Sequence, residues 1–191
     1  MVQNKSEGLP HFREYADISK QKKVPESPPD ETVEALLQLY NAGELARVVK
    51  EAQALTRQYP EAFIVWNLLG AAAAQMGILD QAVDAFEKVI SIKPDYVDGY
   101  NNLGTALADQ GELDRAIGLY KKIISIEPNY AEAFNNMGHA FHKKDMLEEA
   151  VCAYLKAIEL QPSFAEAYNN IGNIYRKQGR LMMQFLHLQK R

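Results

Sequence analysis

The chain has 191 residues, a formal net charge of −4, 47% hydrophobic and 24% charged residues, which are the proportions of a globular protein and exclude a wholly disordered one. No stretch approaches the ~20 apolar residues of a membrane-spanning helix, Met1–Pro10 lacks the apolar core of a secretory signal, and the single cysteine, Cys152, excludes an intrachain disulfide and a cysteine-built zinc site. This balance predicts a cytoplasmic chain without bulk attraction to nucleic acid or membrane surfaces.

Residues 1–29 read as a flexible N-terminal extension. Phe12, Tyr15 and Ile18 predict a short helix over Leu9–Lys23, and Pro25, Pro28 and Pro29 stiffen the segment that follows. From Asp30 onward one period dominates. Pro60, Pro94, Pro128 and Pro162 are evenly spaced at about 34 residues, a period that signals stacked supersecondary units. Gly70, Gly104, Gly138 and Gly172 keep the same step, as do Ala82, Ala116 and Ala150. So do the aromatics Trp66, Tyr100, Phe134 and Tyr168, a second aromatic series at Phe86, Tyr120 and Tyr154, and the series Leu45, Leu79, Leu113, Leu147 and Leu181.

Each period reads as two helices. In the best-formed unit the first covers about Ala131–Lys144, with Phe134, Met137 and Phe141 at helical spacing. The second covers about Leu147–Leu160, with Leu147, Ala150, Val151, Tyr154, Ala157 and Ile158 on one stripe. Gly43, Gly77, Gly111 and Gly179 mark the turns in the other units, since glycine accepts the left-handed conformation that ends a helix. Glycine and alanine predict close backbone approach within a pair, and aromatics fill the wider gaps.

Trp66, Leu69, Gly70, Ala82, Phe86 and Pro94 together resemble the tetratricopeptide-repeat signature. The resemblance implies an all-α, right-handed superhelical solenoid of about five helix-turn-helix units, near 30–60, 63–94, 97–128, 131–162 and 165–191. The first is degenerate, with Leu36 for glycine and Val48 for alanine, as a cap would be. The first unit also resembles N-terminal arrays of bacterial proteins that carry a glycosyltransferase or sulfotransferase domain. A targeting arm of such an enzyme is therefore one alternative, and a self-assembling module is another.

The last unit departs from the pattern after Leu181. Gln184 stands where close packing calls for alanine. Methionine has the single codon ATG and glutamine codons begin CA. Read one base earlier, Met182-Met183-Gln184 therefore encodes aspartate and alanine at positions 183 and 184, so a shifted frame restores the alanine. A homodimer through the C-terminal end is a second expectation for this unit, with Leu181, Phe185 and Leu188 covering its apolar surface otherwise.

Catalytic motifs are missing. No phosphate loop, Gly-x-Ser-x-Gly elbow or His-Glu-x-x-His occurs, and no cofactor or metal is expected. His139 and His142 share one helix but are too few for a zinc site even if Asp109 or Glu132 approached, and Cys152 has no evident base. The chain is read as a non-catalytic scaffold.

The resemblance implies that first helices line a concave groove that binds a peptide or protein segment. The residues assigned to it are Asn67, Asn101, Asn102, Thr105, Asn135, Asn136, His139, His142, Lys143, Asn169, Asn170, Asn173, Arg176 and Lys177, with Ala71, Ala74, Gln75, Ala108 and Asp109 beside them. Two asparagine ladders keep the step of the repeat: Asn67, Asn101, Asn135, Asn169 and Asn102, Asn136, Asn170. An amide both donates and accepts, so a row of them can pair with an extended backbone whatever its side chains. The array of O-GlcNAc transferases has a similar ladder. One ladder is expected to tie helices together and the other to face the groove. Asp98 and Asp109 against Lys143, Arg176 and Lys177 predict a charge gradient that favours acidic residues near the C-terminal end. Chaperone cofactors of the family grip a terminal carboxylate with groove lysines. Asn67, Asn101 and Asn135 occupy those faces here, which argues against that kind of clamp.

Overall fold

The structure, a computed structural model, describes residues 27–189, with side chains as far as Gly179. The helix expected over Leu9–Lys23 lies outside the described residues. The described residues form nine helices and no strand: α1 (Asp30–Asn41), α2 (Leu45–Gln58), α3 (Phe63–Gln75), α4 (Leu79–Ile92), α5 (Val97–Gln110), α6 (Leu113–Ile126), α7 (Ala131–Lys143), α8 (Leu147–Leu160) and α9 (Ala165–Gln189). Each helix packs on its chain neighbours, which produces an all-α solenoid of stacked pairs.

The turns follow from backbone conformation. Gly43, Gly77 and Gly111 sit at positive φ, 75°, 73° and 89°, directly after a first helix. At the equivalent position of the fourth pair Asp145 adopts φ 61°. Aspartate is among the few residues whose short polar side chain tolerates that region, so the turn survives loss of glycine. Each pair is then joined to the next through its proline. The indole of Trp66 donates a hydrogen bond to the Pro60 carbonyl at 2.9 Å, and the Tyr100 hydroxyl donates to that of Pro94 at 3.0 Å.

Close packing within a pair rests on the glycine–aromatic match. A Cβ added to Gly70 would lie 2.7 Å from the Phe86 ring, one on Gly104 2.6 Å from the Tyr120 ring, and one on Gly138 2.8 Å from the Tyr154 ring. Ala82, Ala116 and Ala150 are fully buried beside them. The degenerate first unit solves the same problem in reverse. Leu36 replaces the glycine, and Ala52 stands where the other units carry the aromatic; both are buried. Bulk moves from one helix to the other and the gap stays filled, as volume-conserving exchange allows.

The last unit differs from expectation. No turn forms at Gly179: α9 runs on as one helix of 25 residues through the position where a second helix was expected to fold back. Leu181, the equivalent of Leu147, therefore continues the first helix instead of starting a second.

Candidate functional site

The backbones of successive first helices approach one another, α1 with α3, α3 with α5, α5 with α7 and α7 with α9, whereas those of successive second helices stay farther apart. The stack therefore curves with its first helices on the inner side. Hydrogen bonds between asparagines bind that side together. The Asn102 amide donates to the Asn67 side-chain oxygen at 3.1 Å, Asn136 to Asn101 at 3.0 Å and Asn170 to Asn135 at 3.4 Å.

The two ladders have different work. Asn101 and Asn135 are 5% and 1% exposed. Each accepts from the asparagine of the next unit and donates to its acid, Asn101 to Glu132 at 2.8 Å and Asn135 to Glu166 at 3.2 Å. Buried amides satisfied on both sides clamp one first helix to the next. Asn67, half-buried, accepts in the same way. Asn169 is exposed, since no further first helix covers it among the described residues. Asn102, Asn136 and Asn170 are half-buried along the inner side and each spends one N–H on its neighbour. Among the described residues, the side-chain oxygens of Asn102 and Asn170 receive no donor, and that of Asn136 receives only Asn135 at 3.5 Å.

The remaining assigned residues fall into three situations. Thr105 is exposed but its hydroxyl bonds back to the Asn101 carbonyl at 3.0 Å, and Asn173 and Arg176 are exposed on α9. His142 is half-buried, and His139 is exposed at residue level. Partial desolvation of its ring, then the nearby Lys143, hold the His139 imidazole below its ordinary pKa. Its neutral form is thus favoured, an imidazole able to donate and accept. The lysines are engaged. Lys143 donates to the Ala108 carbonyl at 3.1 Å and pairs with Asp109 at 3.2 Å, Lys177 pairs with Asp145 at 3.8 Å, and Gln75 is taken up by the Tyr40 hydroxyl. Each pairing joins consecutive units. Of the charges assigned to the gradient, Lys143 and Asp109 thus pair with each other, Lys177 lies near Asp145, and Arg176 is exposed.

Below the inner surface, burial pushes the Tyr120 hydroxyl up to about 12, eased by a hydrogen bond with Thr105. Tyr154 is also pushed up to about 12 by burial, but its hydroxyl has no partner among the described residues. No group of three or more His, Cys, Asp or Glu is placed to hold a metal ion among the described residues, and none of the helices there is long and apolar enough to cross a membrane.

The outer side carries a feature that the sequence reading missed. Grooves lie between α2 and α4 and between α4 and α6, floored by Leu69 and Leu103 of the intervening first helices, and a third concavity is formed by α7 and α8 around Met137. Thr56 and Asp84 flank the first, Ile90 and Gly118 the second. In the third, the wall position of Asp84 and Gly118 is taken by Cys152, which is exposed. Arg115 bridges the second to Glu87 at 2.8 Å. Leu69 and Met137 were legible as apolar positions of the repeat; that they line grooves on the outer side was not, because that depends on the curvature of the stack.

Comparison with known proteins agrees with this geometry. A family model described as a TPR repeat matches residues 70–111, 104–145 and 146–179. No curated protein matches the chain. Among solved structures, a crystal structure of MamA is 22% identical over 74% of this chain and 83% of its own, with a TM-score of 0.67. MamA from residue 41 to its end, from Desulfovibrio magneticus RS-1, is 19% identical over 83% of this chain and 90% of its own, with a TM-score of 0.69. The first TPR of Spaghetti (RPAP3), bound to the HSP90 peptide SRMEEVD, is 23% identical over 61% of this chain and 93% of its own, with a TM-score of 0.57. At these identities the likeness concerns the fold.

Proposed function

Because the chain belongs to the tetratricopeptide-repeat family, we propose that it is a non-catalytic scaffold that holds an extended protein segment along its inner face. The observation that carries this reading is the division between the two ladders. Asn101 and Asn135 are consumed in joining helices. Asn102, Asn136 and Asn170 keep amide capacity to spare at one position of three consecutive units. An extended segment presents N–H and C=O groups at regular intervals, and such a row pairs with its backbone rather than with particular side chains. The RPAP3 domain, with a peptide bound, is a precedent for segment binding by this fold. With Lys143 and Lys177 already paired, recognition here rests on amides more than on charge.

The reading is tested with peptides selected from a displayed random library against the whole protein. Their affinities are then compared for the wild type, the Asn102→Ala/Asn136→Ala/Asn170→Ala triple variant and a Gln53→Ala/Gln81→Ala variant on the outer side. Three lost hydrogen bonds at about 1 kcal/mol each predict a loss of roughly 100-fold for the triple variant. The outer variant should bind as the wild type does. An unchanged affinity in the triple variant, with its unfolding temperature preserved, would retire the inner-face site. Loss confined to the outer variant would move recognition to the outer grooves.

A further inference from the structure

In the pairs α3–α4, α5–α6 and α7–α8, the first helix buries a glycine under an aromatic ring from the second. The first half of α9 carries the same face: Ile171 is half-buried against the cluster that α8 contributes to, but among the described residues Tyr168, Gly172 and Tyr175 are left open. A Cβ on Gly172 would meet nothing within 4 Å, and Tyr168 and Tyr175 are 53% and 58% exposed. Gly179, at the position of the turn residues Gly77, Gly111 and Asp145, stays helical.

We infer that this face is covered by a second copy of the chain, through reciprocal exchange of the C-terminal halves of α9. One helix holds both parts of the missing contact. Residues after Gly179 carry the second-helix pattern in register: Leu181, Phe185 and Leu188 stand one period after Leu147, Val151 and Tyr154. A straight helix cannot fold this half onto its own first half. Two antiparallel copies crossing at Gly179 can, because the turn residue is the midpoint of every pair. The half after Gly179 of each copy then meets the half before it of the other in the register that the repeats already use. Such a contact is isologous and closes as a two-fold dimer. The crossing residue is a glycine, which permits close backbone approach there. Loss of the short turn also removes the tether that fixes interhelical spacing, so the pair can widen to admit Gln184, which replaces the alanine of the other units. This surface is separate from the asparagine-lined face, and the two readings fail independently.

The crossing lies beside Arg176 and Lys177 of both copies. Their mutual repulsion is screened by salt, so the dimer should tighten as ionic strength rises. The experiment is sedimentation equilibrium of the full chain, combined with cross-linking of mixed single variants. Ile171→Cys and Leu186→Cys, each in a Cys152→Ser background, reproduce the Met137 and Cys152 positions, which line one groove. A short bismaleimide should join the two variants only after they are mixed, and the mass should be that of a dimer. Tyr175→Glu should weaken the dimer by at least ~30-fold, as loss of a central interface aromatic does, while leaving the helical signal unchanged. A monomer at all concentrations would overturn the inference. So would cross-linking within single chains of the Ile171→Cys/Leu186→Cys double variant, which marks a folded-back hairpin. A dimer that neither cross-links in the mixture nor responds to Tyr175→Glu would overturn it as well.

Discussion

Gly104 and Gly172 occupy the same position of the repeat, one in the middle of the array and one on its terminal helix. A Cβ on Gly104 would lie 2.6 Å from the buried Tyr120 ring, which leaves no room for a methyl group. Around Gly172 there is open space among the described residues. The residue type is identical, so its structural value comes from the neighbour that closes over it. In a stack where each unit touches only those beside it, a repeat signature states what a position is suited to contact, and the next helix decides whether that contact is made.

Several substitutions probe this contrast. Tyr120→Ala removes a fully buried ring and should cost about 4 kcal/mol in denaturant unfolding, whereas Tyr175→Ala, measured on dilute protein, should change stability by less than ~0.5 kcal/mol. Equal effects would break the comparison. The asparagines extend it to the inner face. Asn135→Ala unties two units and should cost roughly 2 kcal/mol, against almost nothing for exposed Asn169→Ala, by the same measurement. The smallest effect has the opposite sign. The Tyr154 hydroxyl is buried without a partner among the described residues, whereas Tyr120 has Thr105 nearby. Tyr154→Phe should therefore stabilise the protein by up to about 1 kcal/mol, raising its unfolding temperature, while Tyr120→Phe should not.

Much of this was legible in the sequence because the period is redundant. Glycine, alanine, aromatic, leucine and proline each mark the same boundaries, and α8 covers the very residues, Leu147–Leu160, that the spacing predicts. Even the missing glycine at Asp145 was harmless, since the other markers held the register. That one asparagine ladder ties helices together was anticipated, but that Asn101 and Asn135 do so depended on the acids Glu132 and Glu166 of the following units. The pairing of the groove charges was not legible for a similar reason. Lys143 and Asp109, like Lys177 and Asp145, lie in different units, far apart along the chain, and only the stacking of those units makes them partners. The turn expected at Gly179 was the clearest miss. Glycine permits a left-handed turn but does not impose one; at Gly77 and Gly111 a packed second helix holds the chain in it.

The most direct measurement is the paired unfolding of Gly104→Ala and Gly172→Ala on dilute full-length protein. Alanine gains about 1 kcal/mol over glycine within a helix, and overpacking against a buried ring costs about 1–3 kcal/mol or more. Gly104→Ala should lose stability by about 2 kcal/mol, and Gly172→Ala should gain up to about 1 kcal/mol. Losses of equal size at the two glycines would contradict the account, because they would mean that a second helix already closes over Gly172 within the single chain.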